Sequence, residues 1–155
     1  MAANNFTNVR SFTERINQIG KKTQVELSRA IRRGGLAIKN RAVDGIISPP
    51  KTGKIAKSKH RKSTNTKTYI HQASAPGEFP AADTGALHQS ITSVQTKDGP
   101  DVFRNETGAN TPYAIMLELG TSKMAPRPFM GRAFDEVKPQ VQASIRAAII
   151  RGAKR

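Results

Sequence analysis

The chain contains no cysteine and no tryptophan, and only two tyrosines and six phenylalanines. Without thiols there is no disulfide framework, no thiolate nucleophile and no metal site built on sulfur. An apolar share of 36% in 155 residues predicts one modest core and a single domain, 1–155. No apolar run approaches the roughly 20 residues that cross a bilayer, and the opening MAANNFTNVR has no apolar signal core. The expectation is a soluble protein of a cytosol-like compartment.

Acids are scarce as well. Eleven Asp and Glu face 26 Lys and Arg, a net charge of +15. The excess is lopsided: residues 1–71 hold 16 basic and 3 acidic side chains, and residues 72–155 hold 10 and 8. Such asymmetry suggests a polyanion, most simply nucleic acid, or an acidic protein neighbour. Zinc-finger spacing, a basic zipper and an aromatic-rich single-strand motif are all missing, so base-specific reading is not expected.

Between Gly45 and Gly77 there is no acid at all, while Lys51, Lys54, Lys57, Lys59, Arg61, Lys62 and Lys67 crowd together with few large apolar groups. Like charges repel, and little burial offsets the ordering entropy. Residues 48–77 are therefore expected to form a long, mobile basic loop that a polyanion or neighbouring subunits would order. Its Gly53-Lys54 lacks the upstream glycine and following Ser or Thr of a phosphate-binding loop.

The remainder predicts an α+β fold, with a long N-terminal helix and a C-terminal helix packed on a small, mainly antiparallel sheet. Phe12, Ile16, Ile19, Leu27, Ile31 and Ile38 recur at helical spacing, predicting a helix over 10–47. Ser11 or Asn8 is the expected cap, with Glu14 completing a capping box after Ser11. Gly20 and Gly34-Gly35 are places for a bend. Pro49-Pro50 is the expected stop. Off the apolar stripe lie Arg29, Arg32, Arg33, Lys39 and Arg41. Residues 78–126 predict a small sheet with turns: a strand over 87–96, a turn at 97–100 and a partner strand beginning at Asp101. Residues 113–119 fit either a strand or a short helix. From Pro128 to about residue 151, Met130, Phe134, Val137, Val141, Ile145 and Ile149 predict the last helix, placed over 127–152. Early Asp135 and Glu136 and late Arg151, Lys154 and Arg155 suit its dipole.

The triplet Asp83-Thr84-Gly85 is the form in which a retroviral-type aspartic protease carries its catalytic carboxylate. That chemistry needs the triplet at the end of a buried apolar strand, so that two carboxylates share a proton. Here Glu78-Phe79-Pro80 approaches it, and proline opposes a central strand. The simpler reading is a turn in which Asp83 accepts backbone hydrogen bonds and Gly85 frees the geometry. His60, His71 and His88 lack metal-ligand spacing. No nucleophile elbow occurs. Glu118 is read as an acid or base, as a cap, or as the ion-pair partner of an arginine such as Arg127. The sequence offers no convincing active site and implies no cofactor.

Three stretches taken in order, PPKTGKIAKS (49–58), ASAPGEFPAADTGALHQSI (73–91) and YAIMLELGTSKMAPRPFMGRAFDE (113–136), resemble the tail-completion or head–tail joining proteins of long-tailed bacteriophages, also called minor tail protein Z-like. The likeness rests on Lys51-Thr52-Gly53, on Ala73 to Pro80 with Pro76 and Gly77, and on Asp83-Thr84-Gly85. It continues through Tyr113-Ala114, Glu118-Leu119-Gly120-Thr121 and Arg127-Pro128-Phe129, spanning about residues 10–150. Leu119 stands where the family commonly has an aromatic. The resemblance implies a non-enzymatic virion structural protein of the neck. It would form a homo-oligomeric, hexameric ring around the DNA channel that joins the tail to the head connector after assembly in the host cytoplasm. Implied partners are the connector or neck proteins, the tail terminator or tube protein, and packaged double-stranded DNA; no membrane is implied. The basic residues named above are then expected to face the channel or adjoining subunits. Strand edges around 87–119 and the helix starting at Arg127 are expected to make protein contacts. The alternatives are a free, sequence-nonspecific nucleic-acid-binding protein and, more remotely, the protease using Asp83.

Overall fold

In the computed structural model, which describes residues 3–48, 51–62, 65–99 and 102–154, the apolar stripe of the N-terminal half folds as one uninterrupted helix, α1, Ala3–Ile47. It starts earlier than the capping signals suggest, so Asn8 and Ser11 lie inside it. Nothing in residues 3–10 breaks a helix, and Phe6 and Val9 extend the three- and four-residue spacing. Its last turn closes with the Ser48 N–H on the Asp44 carbonyl at 2.8 Å. The expected stop at Pro49-Pro50 lies outside the described residues, as do Pro100, Asp101 and Arg155.

The segment expected as a basic loop is built on a hairpin. Strands β1, Ile55–Lys62, and β2, Asn65–Gln72, pair antiparallel in a register that sets Ile55 opposite Gln72 and Lys62 opposite Asn65. Counting charge alone hides two features that favour pairing. Thr66, Thr68 and Ile70 alternate as β-branched residues along β2. At the base, Gly53 N–H meets the Ala73 carbonyl and Ala73 N–H meets the Lys54 carbonyl, both at 3.0 Å, which continues the ladder.

A single helical turn, α2, Ala86–Gln89, takes the start of the expected 87–96 strand, so Leu87 is a helical core residue rather than a strand residue. Strand β3, Ile91–Lys97, follows and pairs with β4, Phe103–Ala109, as a second two-stranded sheet. Helix α3, Ala114–Leu119, resolves the open choice at 113–119 in favour of helix. Helix α4, Met130–Ala153, completes the chain. The α+β class, with long terminal helices and small antiparallel sheets, is as the sequence predicts.

Contacts divide the chain into two compact units, one of Met1–Gly35, Val94–Glu106 and Lys138–Arg155, the other of Leu36–Ser93 and Thr107–Val137. In the first, Gly34 and Gly35 are buried and cause no break in α1. A β-carbon on Gly34 would come within 2.9 Å of Val141, and one on Gly35 would overlap Asn105, so these glycines let neighbouring segments touch the helix backbone. Close packing, rather than a bend, explains them. Gln95 donates to both the carbonyl and the hydroxyl of Ser28 at 3.0 Å. Glu26 receives Arg29 at 3.0 Å and Arg151 at 3.3 Å, and its carboxyl is held below the ordinary range, chiefly by the Arg151 hydrogen bond. The second unit holds the main core: Ala42, Ile46, Phe79, Leu87, Ile91, Ala114, Phe129 and Ala133. Ile46, Ile91 and Phe129 are its largest fully buried side chains.

Candidate functional site

Most of the residues that carry the resemblance converge within the second unit, where they tie chain segments together. Lys51, just beyond α1, turns its ammonium back to the Gly45 carbonyl at 2.7 Å and the Phe79 carbonyl at 3.1 Å. Burial pulls that ammonium below the ordinary lysine range, with the negative charge of Glu78 opposing the shift. Thr52 donates to the Glu78 carboxylate twice, from its hydroxyl at 2.6 Å and its backbone N–H at 3.0 Å, and Ala75 N–H adds a third bond at 2.8 Å. Glu78 thus closes the 75–78 turn on itself and staples it to the segment leaving α1.

The second knot lies beside it. Gly77 N–H donates to the Pro126 carbonyl at 3.0 Å, and the Gly77 carbonyl accepts Arg132 at 3.0 Å. Arg127 reaches the carbonyl of buried Ser74 at 3.0 Å, and its own N–H meets the Leu117 carbonyl at 2.7 Å. Pro76 is exposed within the first turn, and Pro128 directly precedes buried Phe129. Glu118 is neither a free acid nor the partner of Arg127. Its carboxylate accepts the N–H groups of Phe129, Met130 and Gly131 at 2.8, 3.0 and 2.8 Å. These are the unsatisfied donors that open α4, and a negative charge there also suits the helix dipole. Gly120 and Thr121 form the sharp return between Glu118 and α4, Thr121 exchanging backbone bonds with Met124 at 2.8 and 3.2 Å.

At Asp83-Thr84-Gly85 the turn is made differently from the sequence reading. The Thr84 hydroxyl, not Asp83, accepts the Ala86 N–H, at 3.4 Å, while Asp83 is exposed. Gly85 has φ 84° and leads directly into α2. Asp83 is therefore in an open turn ahead of a short helix, with no buried strand delivering it. The triplet forms one wall of an open cleft of about 530 Å³, with Ile46, Pro80, Leu87, Tyr113 and Leu117 among its apolar lining and Arg127 at its edge.

The basic candidates fall into distinct groups. Lys51 is committed to two carbonyls, as described. Arg41 pairs with Glu136 and lies 4.8 Å from the centre of the Phe79 ring. Arg132 pairs with Glu136 at 3.0 Å and stacks 4.9 Å from the same ring. Burial raises the Glu136 carboxyl, but the two arginines outweigh it and leave it below the ordinary range. Arg29 pairs with Glu26, Lys39 is half-buried, and Arg32, Arg33 and Lys54 are exposed. The side chains of Lys57, Lys59, Arg61, Lys62 and Lys67 lie outside what the structure describes. The sequence reading missed Arg132, Glu136, Phe79 and Gly45. The four-residue spacing of Arg132 and Glu136 was a signal for one pair; nothing in the sequence pointed to Gly45 beneath Phe79.

Among the described residues no three His, Asp or Glu side chains gather as they would around a metal ion, and no helix is long and apolar enough to cross a membrane. The main chemistry of this region is structural. Thr52 and the backbone N–H groups stabilise the Glu78 carboxylate, taking its pKa from 4.5 down to about 2. A carboxyl depressed in the folded state stabilises fully above its unfolded pKa, and the contribution is lost as pH falls toward the folded one. Glu78→Gln should therefore be less stable than wild type at neutral pH, with the difference shrinking between pH 4.5 and about 2. Urea unfolding across that interval measures it, and a constant difference would contradict the staple's ionic character.

Compared with protein-family models, with curated proteins and with solved structures, the chain matches none.

Proposed function

We propose that the chain is a virion structural protein of a tailed-phage neck, forming a hexameric ring that completes the tail and joins it to the head connector around the DNA channel. One observation carries the reading. Motif pieces that resemble the head–tail joining family in order and spacing are largely those used to hold the second unit together, through Lys51, Thr52, Glu78, Glu118 and Arg127. Carboxylates spent on backbone N–H groups suit a scaffold better than a reaction centre.

Two further features agree with a ring around a moving genome. Exposed Arg32, Arg33 and Lys54 act on phosphates, and phosphate contacts carry no base code, so DNA of any sequence slides past. Helix α3 presents Ile115, Met116 and Leu119 to solvent, at 64%, 51% and 71% exposure, as apolar surface for a neighbouring protein. A closed ring needs such head-to-tail contacts between copies, beside those to the connector and the tail terminator or tube. The +15 charge also favours the second reading, a free nucleic-acid-binding protein.

The test is electron microscopy of particles assembled without this protein. Filled heads and finished tails that fail to join are the expected result. Normally joined virions would overturn the neck reading and leave the free nucleic-acid binder.

A further inference from the structure

Over residues 11–22, α1 is amphipathic, and among the described residues its apolar stripe is left largely uncovered. Helix α4 ends against α1 near Thr23: a β-carbon on Gly152 would overlap Thr23, and Lys22 donates to the Lys154 carbonyl at 3.1 Å. Upstream of that point, residues 11–22 are exposed except for half-buried Ile19. Phe12 and Ile16 are 65% and 53% exposed. Phe12, Ile16 and Ile19 lie at i, i+4 and i+7, one continuous stripe.

The stripe is the floor of a groove of about 480 Å³ whose other lining residues are Arg15, Gln18, Lys22 and Lys154. Every charged group among its described lining residues is therefore a cation, and this chooses between occupants. A second copy would set its own Arg15, Lys22 and Lys154 against the same three cations, an arrangement that costs energy at any interface. Nucleic acid would satisfy the cations yet leave the apolar floor in water. A flat bilayer surface suits a helix with a broad apolar face, whereas this floor is a single row of three side chains. An amphipathic helix satisfies both requirements when apolar residues at i, i+3 and i+4 fill the floor and flanking carboxylates meet the cations.

We infer that this groove docks an acidic amphipathic helix of another protein. The inference rests on the groove alone and is independent of the neck reading.

The probe is a labelled synthetic peptide: a helix with a leucine stripe flanked by glutamates, beside an otherwise identical peptide flanked by lysines. Titration of the full chain at low salt, read by fluorescence anisotropy, should show the glutamate peptide binding and the lysine peptide at least about tenfold weaker. Ile16→Asp should weaken the glutamate peptide about tenfold, the value of one lost buried aliphatic contact. Arg15→Glu, a second exposed substitution, should narrow the difference between the peptides, and an unchanged circular dichroism spectrum shows that both variants fold. Failure of the glutamate peptide to bind, equal binding of the two peptides, or indifference to both substitutions would overturn the inference. So would finding that Ile16→Asp abolishes self-association of the chain or its binding to anionic vesicles in place of peptide binding.

Discussion

Gly45→Ala should destabilise the protein by about 3 kcal/mol, although alanine is intrinsically the better helix former by about 1 kcal/mol. Gly45 is buried in α1, and a β-carbon there would overlap the ring of Phe79. The ring has little freedom to retreat. It is 6% exposed, it belongs to the main core, and the guanidinium groups of Arg41 and Arg132 lie over it at 4.8 and 4.9 Å. The neighbouring backbone is fixed too, because the Gly45 and Phe79 carbonyls both hold Lys51. Gly20→Ala is the matched control. It lies in the same helix with nothing within 4 Å of the new methyl, so it should stabilise by up to about 1 kcal/mol. Opposite signs for one substitution in one helix separate packing from propensity. In the double variant Gly45→Ala with Phe79→Leu, the smaller side chain relieves the overlap, and the summed single losses should exceed the measured one. Urea unfolding of the wild type and the four variants gives all three values; a neutral Gly45→Ala would mean that the ring moves freely.

The parts of the fold legible in the sequence were those written by periodicity. Ile31 and Ile38 in α1, and Val137 and Val141 in α4, keep helical spacing over many turns, and both helices formed. What was left open or read differently was local. Residues 113–119 fit two periods equally, because seven residues cover less than two helical turns. The 48–77 stretch was read by its charge. Ladder hydrogen bonds between backbone groups do not depend on side-chain sign, and β-branched Thr66 and Thr68 favoured the strand. Glycines misled in the same way: at Gly34-Gly35 the propensity cost was visible, and the neighbours that require glycine were not.

The candidate site divides along the same line. The order of its motif pieces was readable, since it is a property of the chain. Their pairing was not, because Thr52 and Glu78 are 26 residues apart and Ser74 and Arg127 are 53 apart. Charge was the most conspicuous feature and the least decisive. Arg41 and Lys51, expected at a DNA channel or a subunit boundary, make contacts within one unit, and composition does not distinguish them from Arg32 or Lys54, whose side chains are exposed.

Glu118→Ala should cost about 2–3 kcal/mol, more than most surface substitutions, because one side chain does the work of a whole helix cap. Its two carboxylate oxygens accept three successive backbone N–H groups, and the first of these belongs to Phe129, which is 1% exposed. Removing the acceptor leaves the Phe129 and Met130 donors partly buried without a partner, and that desolvation is the larger share of the loss. Glu118→Gln separates charge from shape. The amide keeps one acceptor oxygen but turns a donor toward N–H groups, so it should recover less than half of the alanine deficit. Thermal and urea unfolding measure the loss, and amide hydrogen exchange locates it: Phe129, Met130 and Gly131 should exchange faster in both variants. If Glu118→Ala were as stable as wild type, with those amides still protected, the start of α4 would be held without the cap, by the packing of Phe129 and Ala133 and the contacts of Arg132 and Glu136. The resemblance that places Glu118 beside Arg127-Pro128-Phe129 would then have lost its structural reason.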